Sequence, residues 1–417
     1  MIKYQHVQNF YIMKAEDRLI KYVCVPTMSD PESSTSPSTS KQLVLGKMLV
    51  EELKEVGITD AYMDEYGYVY GHLPSNIEKD VKTVGFVAHM DTAPDYNDEG
   101  AKPRIIRNYD GKDIELSPGV VTKPSDFPHM VELQGRDIMV TDGNTLLGAD
   151  DKGGIVAIMQ ALEYYHEHPE VKHGKVSIAF TPDEEIGRGT EHFDLKAFSA
   201  DFGYTMDGGE IKYYCDETFN AASAVVIVHG FSIHPGSAKN KMINAQNVAM
   251  EFHAMLPSYM RPEHTENREG FIHLTDMSGS CNDAKLEYII RDHDAKKLED
   301  KMHLMERAAK WINDLYGENT LELKLVKGYR NMKEVISAHP EVSNIAWSAL
   351  EELGIKPELE SCRGGTDGAN LSFMGLPCPN LGTGAGNMHG RYEYCDLYEL
   401  EKSSELIRII IRKVMEE

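Results

Sequence analysis

The sequence predicts an α/β domain interrupted by a second, inserted α+β domain of two layers. Three observations carry that prediction. Up to about Asp216, short apolar runs suited to buried strands alternate with helix-like stretches. The texture then changes to longer alternating segments around two amphipathic helices. From about Gly328 the first texture returns. The boundaries so drawn are 1–216, 217–327 and 328–417, the outer two forming one discontinuous domain. A chain of 417 residues is long enough for that division.

Taken in order, residues up to about Pro26 read as a helix with a short strand-like end. Thr27–Ser40, rich in Ser, Thr and Pro, reads as a solvated connection or part of a rim. Lys41–Val56 places Leu45, Leu49 and Leu53 four apart and meets Gly57 as a stop, so a helix is expected. Ala61–His72 alternates about a turn at Gly67, as a hairpin would. Val81–Ala88 is an apolar run for a buried strand, and Gly100–Thr141 reads as an irregular insertion. Ile155–His166 is a helix, and Lys175–Phe180 and Phe202–Met206 are strands. In the middle section Thr218–Gly230 and Gly270–Arg291 alternate, while Asn244–Leu256 and Asp294–Tyr316 are helical. With a strand at Leu321–Val326 this is a β-α-β-β-α-β pattern of roughly a hundred residues. Met302, Met305 and Trp311 are expected in its core. Helices at Pro340–Leu353 and Leu400–Val414 complete the chain.

Composition narrows the function classes. Hydrophobic residues make up 41% and charged residues 26%, as in globular proteins. No apolar run spans a bilayer, and the N-terminus lacks a signal core with a small-residue cleavage site. A cytoplasmic location is therefore expected. Six scattered cysteines without a CxxC pair indicate neither a zinc ribbon nor a redox pair. A net charge of −24 argues against nucleic acid or an anionic membrane as partner. Monomer and homodimer both stay open.

The chemistry gathers at strand ends. VGFVAHMDTAPD, Val84–Asp95, ends an apolar run in His89 and Asp91. Residues two apart share a side of a strand, so these two can meet. TLLGADDKGG carries Asp150 at the entry to a helix. TPDEEIG follows a strand with Glu184 and Glu185, and Asp207 follows another. Ligands of open α/β sheets bind in the crevice at the carboxyl ends of the strands. With His389 the polar ends comprise two imidazoles and several carboxylates, a set suited to zinc or related divalent ions. Crowded acids without a cation repel and their pKa values rise. If Asp150 bridges, one ion has His89, Asp150 and Asp207, the other Asp150, Glu185 and His389. Glu184, adjacent to a ligand, is then free to move a proton. The tract with His166, His168 and His173 reads as a solvated helix end.

HMDTAPD, LLGADDKGG, TPDEEIGRG, TMDGGE, HPGSAKNKMINA and RGGTDGANLSFMGLPCPN followed by NMHG occur in this order across nearly the whole chain. In them the sequence resembles the M20 metallopeptidases. The resemblance implies a discontinuous zinc-peptidase catalytic domain, a mixed sheet flanked by helices, with the inserted α+β domain as a lid. It implies two zinc ions per subunit with His89, Asp150, Glu185, Asp207 and His389 as ligands. Glu184 becomes the general base and Asp91 the support for His89, and a cis peptide follows Asp150. His234 is matched to a histidine that stabilises an oxyanion. Arg291 and Arg363 are matched to groups that grip a substrate carboxylate, a task suited to the guanidinium fork. Without the resemblance, His234 reads as a turn residue before Pro235 and the arginines as structural ion-pair partners. The implied activity is release of the N-terminal residue from tripeptides. A deacylase or carboxypeptidase on the same scaffold, acting on N-acyl amino acids or dipeptides, would share the metals. A non-catalytic binding protein would have lost ligands or base, and all are present.

Overall fold

The computed structural model describes residues 13–417, in two compact units. One holds the described residues through Cys215 together with Ile336–Leu359 and Thr366–Glu417. The other holds Asp216–Val335 and Glu360–Gly365. The second unit thus runs past the alternating segment to Val335 and regains six residues of the Gly-rich stretch. The part of the first helix expectation that falls on residues 1–12 lies outside the described residues. Beyond them, a helix at Ala15–Val23 is present, with no strand after it.

An eight-stranded sheet organises the first unit. Its strands lie in the order Tyr62–Met63, Val69–Leu73, Val176–Thr181, Val84–His89, Phe202–Gly208, Asn380–Gly382, Tyr213–Glu217 and Glu358–Ser361. Val176–Thr181, Val84–His89, Phe202–Gly208 and Asn380–Gly382 run parallel, and the hairpin strand Val69–Leu73 is antiparallel. Every residue of Val84–His89 is buried. Phe86 and Ala88 enter a core shared with the helices Ala15–Val23, Ala149–Glu167 and Leu397–Glu416, whereas Val87 joins Tyr68, Phe193, Phe198 and Leu371 in another. Burial on both faces is why this strand reads as a continuous apolar run and not an alternation. Parallel pairing also brings the carboxyl ends of three neighbouring strands to one edge. Phe86→Ala would remove a fully buried ring at a cost of about 3–5 kcal/mol.

Residues 100–141 are not irregular, contrary to the reading from sequence. Arg104–Ile106 and Ile138–Val140 pair, and Tyr394–Asp396 and Ala385–Gly386 extend them into a four-stranded sheet. Ile114–Ser117 and Val120–Thr122 form a hairpin. Tyr109, Ile114, Leu116, Met130, Ile138 and Tyr394 close a core of their own. Strands this short do not repeat often enough to leave a period-two signal.

The second unit is an antiparallel sheet in the order Phe271–Gly279, Asp283–Asp292, Asn220–His229, Leu321–Lys327, with helices Ala245–Met255 and Ala295–Tyr316. Asn244 and Asp294 cap the two helices through side-chain oxygens that accept main-chain N–H groups. Val226, Leu286 and Ile290 face Phe252, Met305 and Ile312 in its core. Met302 and Met305 are buried as expected, but Trp311 is 59% exposed. It lies on the outer side of its helix with Leu315, one turn on. Among the described residues no helix is long and apolar enough to cross a membrane.

Candidate active site

Three adjacent strands end at the same edge of the large sheet and deliver His89, the Glu184–Glu185 pair and Asp207. Asp150 arrives differently, at the start of the helix Ala149–Glu167. There Gly148 takes a positive φ, Asp150 and Asp151 leave helical geometry, and the peptide between them is cis. Gly154, one turn on, has no room for a side chain, because a Cβ would stand 2.1 Å from the Met206 carbonyl oxygen. The helix start is thereby pressed against the strand that carries Asp207. His389 sits in a loop with positive φ at Asn387 and His389.

The side chains converge. His89 Nε2 lies 3.0 Å from Asp150 Oδ1 and 3.5 Å from Asp207 Oδ1. His389 Nε2 lies 3.4 Å from Asp150 Oδ2 and 3.0 Å from Glu185 Oε2. Asp150 therefore turns one oxygen to each imidazole. His89 Nδ1 lies 3.0 Å from the Asp91 carbonyl, which can only accept, so Nδ1 carries the proton and Nε2 presents its lone pair when the ring is neutral. The Asp91 carboxylate stands 3.4 Å from the same nitrogen, but its shorter bonds run elsewhere. It accepts the N–H groups of Glu184 at 3.0 Å and Glu185 at 3.1 Å. One residue thus fixes both the histidine ring and the backbone of the acidic pair.

Ligand atoms of His89, Glu184 and Asp207 lie within 4.8 Å of one another, as do those of His89, Asp150 and Glu185. Either group can hold an ion, and Glu184 is close enough to serve as ligand or as base. Glu185 Oε1 is buried without a hydrogen-bond partner, an acceptor left over that a cation would satisfy. Charge points the same way. Burial, and then the Asp150 charge, push both Asp207 and Glu185 up to about 7. Burial and Asp207 raise Glu184 well above the usual carboxylate value. Burial works against His89, yet Asp207 and the hydrogen bonds with Asp150, Asp207 and Asp91 raise it well above the usual imidazole value. Hydrogen bonds to Asp150 and Glu185 push His389 up to about 11. Burial raises Asp150, but its bonds to His389 and His89 outweigh it and hold the carboxyl below its usual range. In the bare chain, protons hold together what divalent ions would otherwise neutralise. Nitrogen and carboxylate donors in this number fit zinc and similar ions.

Several supporting residues sit inside the motifs without a role assigned to them there, and Glu393 lies outside them. Asp151, 1% exposed, accepts the His89 N–H at 3.1 Å and the Gly154 N–H at 3.1 Å. Asn380 pairs twice with the main chain of Asp207, at 3.0 Å each way. Asp183 accepts Ser38 N–H at 2.7 Å and Gln42 Nε2 at 2.6 Å, and Arg188 donates to the Ser33 and Thr35 carbonyls. Thr27–Ser40 is thus a pinned wall beside the Glu184–Glu185 segment. Asp367 is buried, accepts Thr181 Oγ1 at 2.7 Å, and burial pushes it up to about 7. Glu393 accepts three main-chain N–H groups around Asp150. Adjacency to a candidate ligand or base is the signal that could have found Asp151 and Asp183, whereas Glu393, set between two tyrosines, leaves none.

His173, read as solvated, is buried and stacks edge-on against Tyr165. Three further candidates belong to the second unit. His234 is exposed, with Nδ1 accepting the Gly236 N–H at 3.2 Å. Arg291 donates from Nη1 to the carbonyls of Ala222 and Ile290. Arg363 donates from Nη1 to the carbonyls of Asn267 and Glu269 and from Nη2 to Thr265 Oγ1, and its plane lies over Phe219 and Phe271. Here it acts as a strut for residues 265–269 and not as a free carboxylate-gripping fork.

Residues 140–413 match the model of peptidase family M20/M25/M40. The chain is 52% identical over 397 residues to Peptidase T of Clostridium acetobutylicum, covering 95% of this chain and 97% of that one. It is 49% identical over 398 residues to Peptidase T of Alkaliphilus oremlandii, covering 94% and 97%. Among solved structures, a tripeptidase from Staphylococcus aureus superposes with a TM-score of 0.76 at 21% identity, covering 98% of this chain and all of that one. A Bacillus subtilis protein described as a dinuclear metal binding peptidase from the M20 family superposes with a TM-score of 0.63 at 16% identity, covering 96% and 99%.

Proposed function

Because the chain belongs to peptidase family M20/M25/M40, we propose that its cage of acids and imidazoles holds two zinc ions and hydrolyses the first peptide bond of tripeptides. The enzyme is a metallo-aminopeptidase. The observation that carries the metal assignment is the position of Asp150, one oxygen toward His89 and the other toward His389. His89, Asp150 and Asp207 would hold one ion, and Asp150, Glu185 and His389 the other. When bound, the ions supply Lewis acidity that polarises the scissile carbonyl and makes water more acidic.

The chain's own groups do the rest. Glu184 would take a proton from the attacking water as the new C–O bond forms and the carbonyl electrons move onto oxygen, and would pass that proton to the leaving amine as the oxyanion collapses and the C–N bond breaks. Asp91 keeps that carboxylate in place through the Glu184 and Glu185 N–H groups. We assign His234 to the developing oxyanion, with Nε2 as the donor. Arg291 and Arg363 are assigned to the substrate's carboxylate, a role for which Arg363 Nη1 would exchange its bonds to the carbonyls of Asn267 and Glu269. A reducing, cytoplasmic setting belongs to the same proposal and accords with six cysteines of which none is joined in a disulfide.

The deciding experiment compares Ala-Ala-Ala with its N-acetylated form on zinc-loaded enzyme. Alanine and Ala-Ala are expected from the first, and little or nothing from the second. Equal cleavage of the blocked peptide would give the deacylase or carboxypeptidase reading the advantage and end the aminopeptidase one.

A further inference from the structure

Glu393 is 2% exposed and uses both oxygens on one short stretch of main chain. Its Oε2 accepts the N–H of Leu147 at 2.7 Å and of Gly148 at 2.8 Å, and its Oε1 accepts the N–H of Asp150 at 3.1 Å. These are the groups that set the entry of the helix Ala149–Glu167, where Gly148 takes φ +79 and hydrogen bonds of the regular helix have not begun. The same side chain stands four residues after His389 and just before the strand Tyr394–Asp396, which is paired into the small sheet with Ile138–Val140. One carboxylate therefore ties the loop of one candidate ligand to the loop of another. No helix cap made of a local Ser or Asp does this, because a local cap moves with its own helix, whereas Glu393 comes from 243 residues away in sequence.

The geometry points to Glu393 as a positioning residue that sets the spacing between Asp150 and His389, and so the affinity of the chain for its divalent ions. It touches neither substrate nor the reacting atoms. Its role rests on the metal assignment made above. A carboxylate that bridges two ions must hold both oxygens still, since a small swing that improves one contact spoils the other. Three N–H groups held by a rigid, buried acceptor fix the main chain from which Asp150 projects. Outer partners of this kind are worth roughly 10–100-fold in metal affinity.

The test is a zinc titration of metal-free protein against a competing chelator, on wild type, Glu393→Gln, Glu393→Asp and Glu52→Gln. Glu393→Gln keeps the shape but turns an N–H group toward N–H groups. Glu52→Gln is the control for stability alone, as Glu52 belongs to a buried network with Arg18 and Tyr22. We expect Glu393→Gln to bind the weaker zinc ion roughly 10–100-fold less tightly, with activity at low free zinc recovered by added zinc and KM little changed. Glu393→Asp, which keeps the charge, should lie between it and wild type, and it serves if Glu393→Gln fails to fold. Glu52→Gln should melt earlier yet keep wild-type affinity. Wild type with two ions beside a Glu393→Gln that binds as tightly, or loses no more than Glu52→Gln, would overturn this inference alone. Wild type that takes up no zinc would overturn the metal assignment with it.

Discussion

Asp91 stands beside the His89 ring, as its motif suggests, and holds a second set of partners that the motif does not show. Its spacing from His89 suggested a carboxylate supporting the ring. In the fold the main-chain carbonyl makes the short contact to the ring, and the carboxylate holds the N–H groups of Glu184 and Glu185. Strand periodicity says which side chains share a face, but not which atoms of a residue do the work. The base itself is testable: Glu184→Ala should keep its zinc and lose roughly 10²–10⁴-fold in kcat, measured on protein whose metal content is assayed in parallel. Turnover near wild type would move the proton to another group. A second residue contributes to pH behaviour. Burial pushes Glu399 from the usual 4.5 up to about 7, although its carboxylate accepts the Ile211 N–H. The folded chain then binds a proton that the unfolded chain has released, so stability falls as pH rises from about 4.5 to about 7 and stays lower above. That interval corresponds to about 3 kcal/mol. Glu399→Gln should flatten this fall in urea melts taken at pH 5 and pH 8; an unchanged slope would assign it to other groups.

At the level of elements, what was legible depended on length. The long helices and the strands Val84–His89 and Val176–Thr181 stand within a few residues of where periodicity set them. The strands of residues 104–140, three or four residues each, left no trace. Trp311 was misjudged because its helix is apolar on more than its inner side, and only the sheet decides which side is inner. The fit of helix on strand at the site offers a sharp test. Gly154→Ala places a methyl against the Met206 carbonyl and the Asp151 carboxylate. The backbone must part, at a cost of about 1–3 kcal/mol or more, and zinc affinity should fall with stability. A variant with wild-type Tm would mean the helix slides freely there. The wall formed by Thr27–Ser40 is equally open to experiment. Asp183→Ala frees Ser38 and Gln42 and leaves buried donors unpaired, for about 2–4 kcal/mol. Its kcat should fall more than its KM changes, because Asp183 is the neighbour of Glu184.

The molecule as a whole was legible as a large α/β unit interrupted by a smaller one, because burial pattern changes where the sheet changes. Two-sided burial writes unbroken apolar runs, and one-sided burial writes alternation. The exact seams were not legible, since residues 328–335 and 360–365 carry neither pattern. If both ions are held by the first unit alone, chelation should destabilise that unit selectively. Zinc at a hundred times its dissociation constant contributes about 2.7 kcal/mol per ion. Hydrogen exchange should show faster opening of Val84–His89 and Ala149–Glu167 after chelation, with Asn220–His229 unaffected. Uniform acceleration would mean the two units unfold as one.

The pairing of Asn380 with Asp207, and of Glu393 with the approach to Asp150, has a bearing on synthesis. A ribosome makes the chain from the other end, so the acids near residues 150, 184 and 207 emerge long before the segment that organises them. If His389 holds an ion as proposed, the growing polypeptide lacks one of its metal ligands until residue 389 has left the exit tunnel. On that assignment, an unfinished chain that stops short of residue 389 should not hydrolyse peptides.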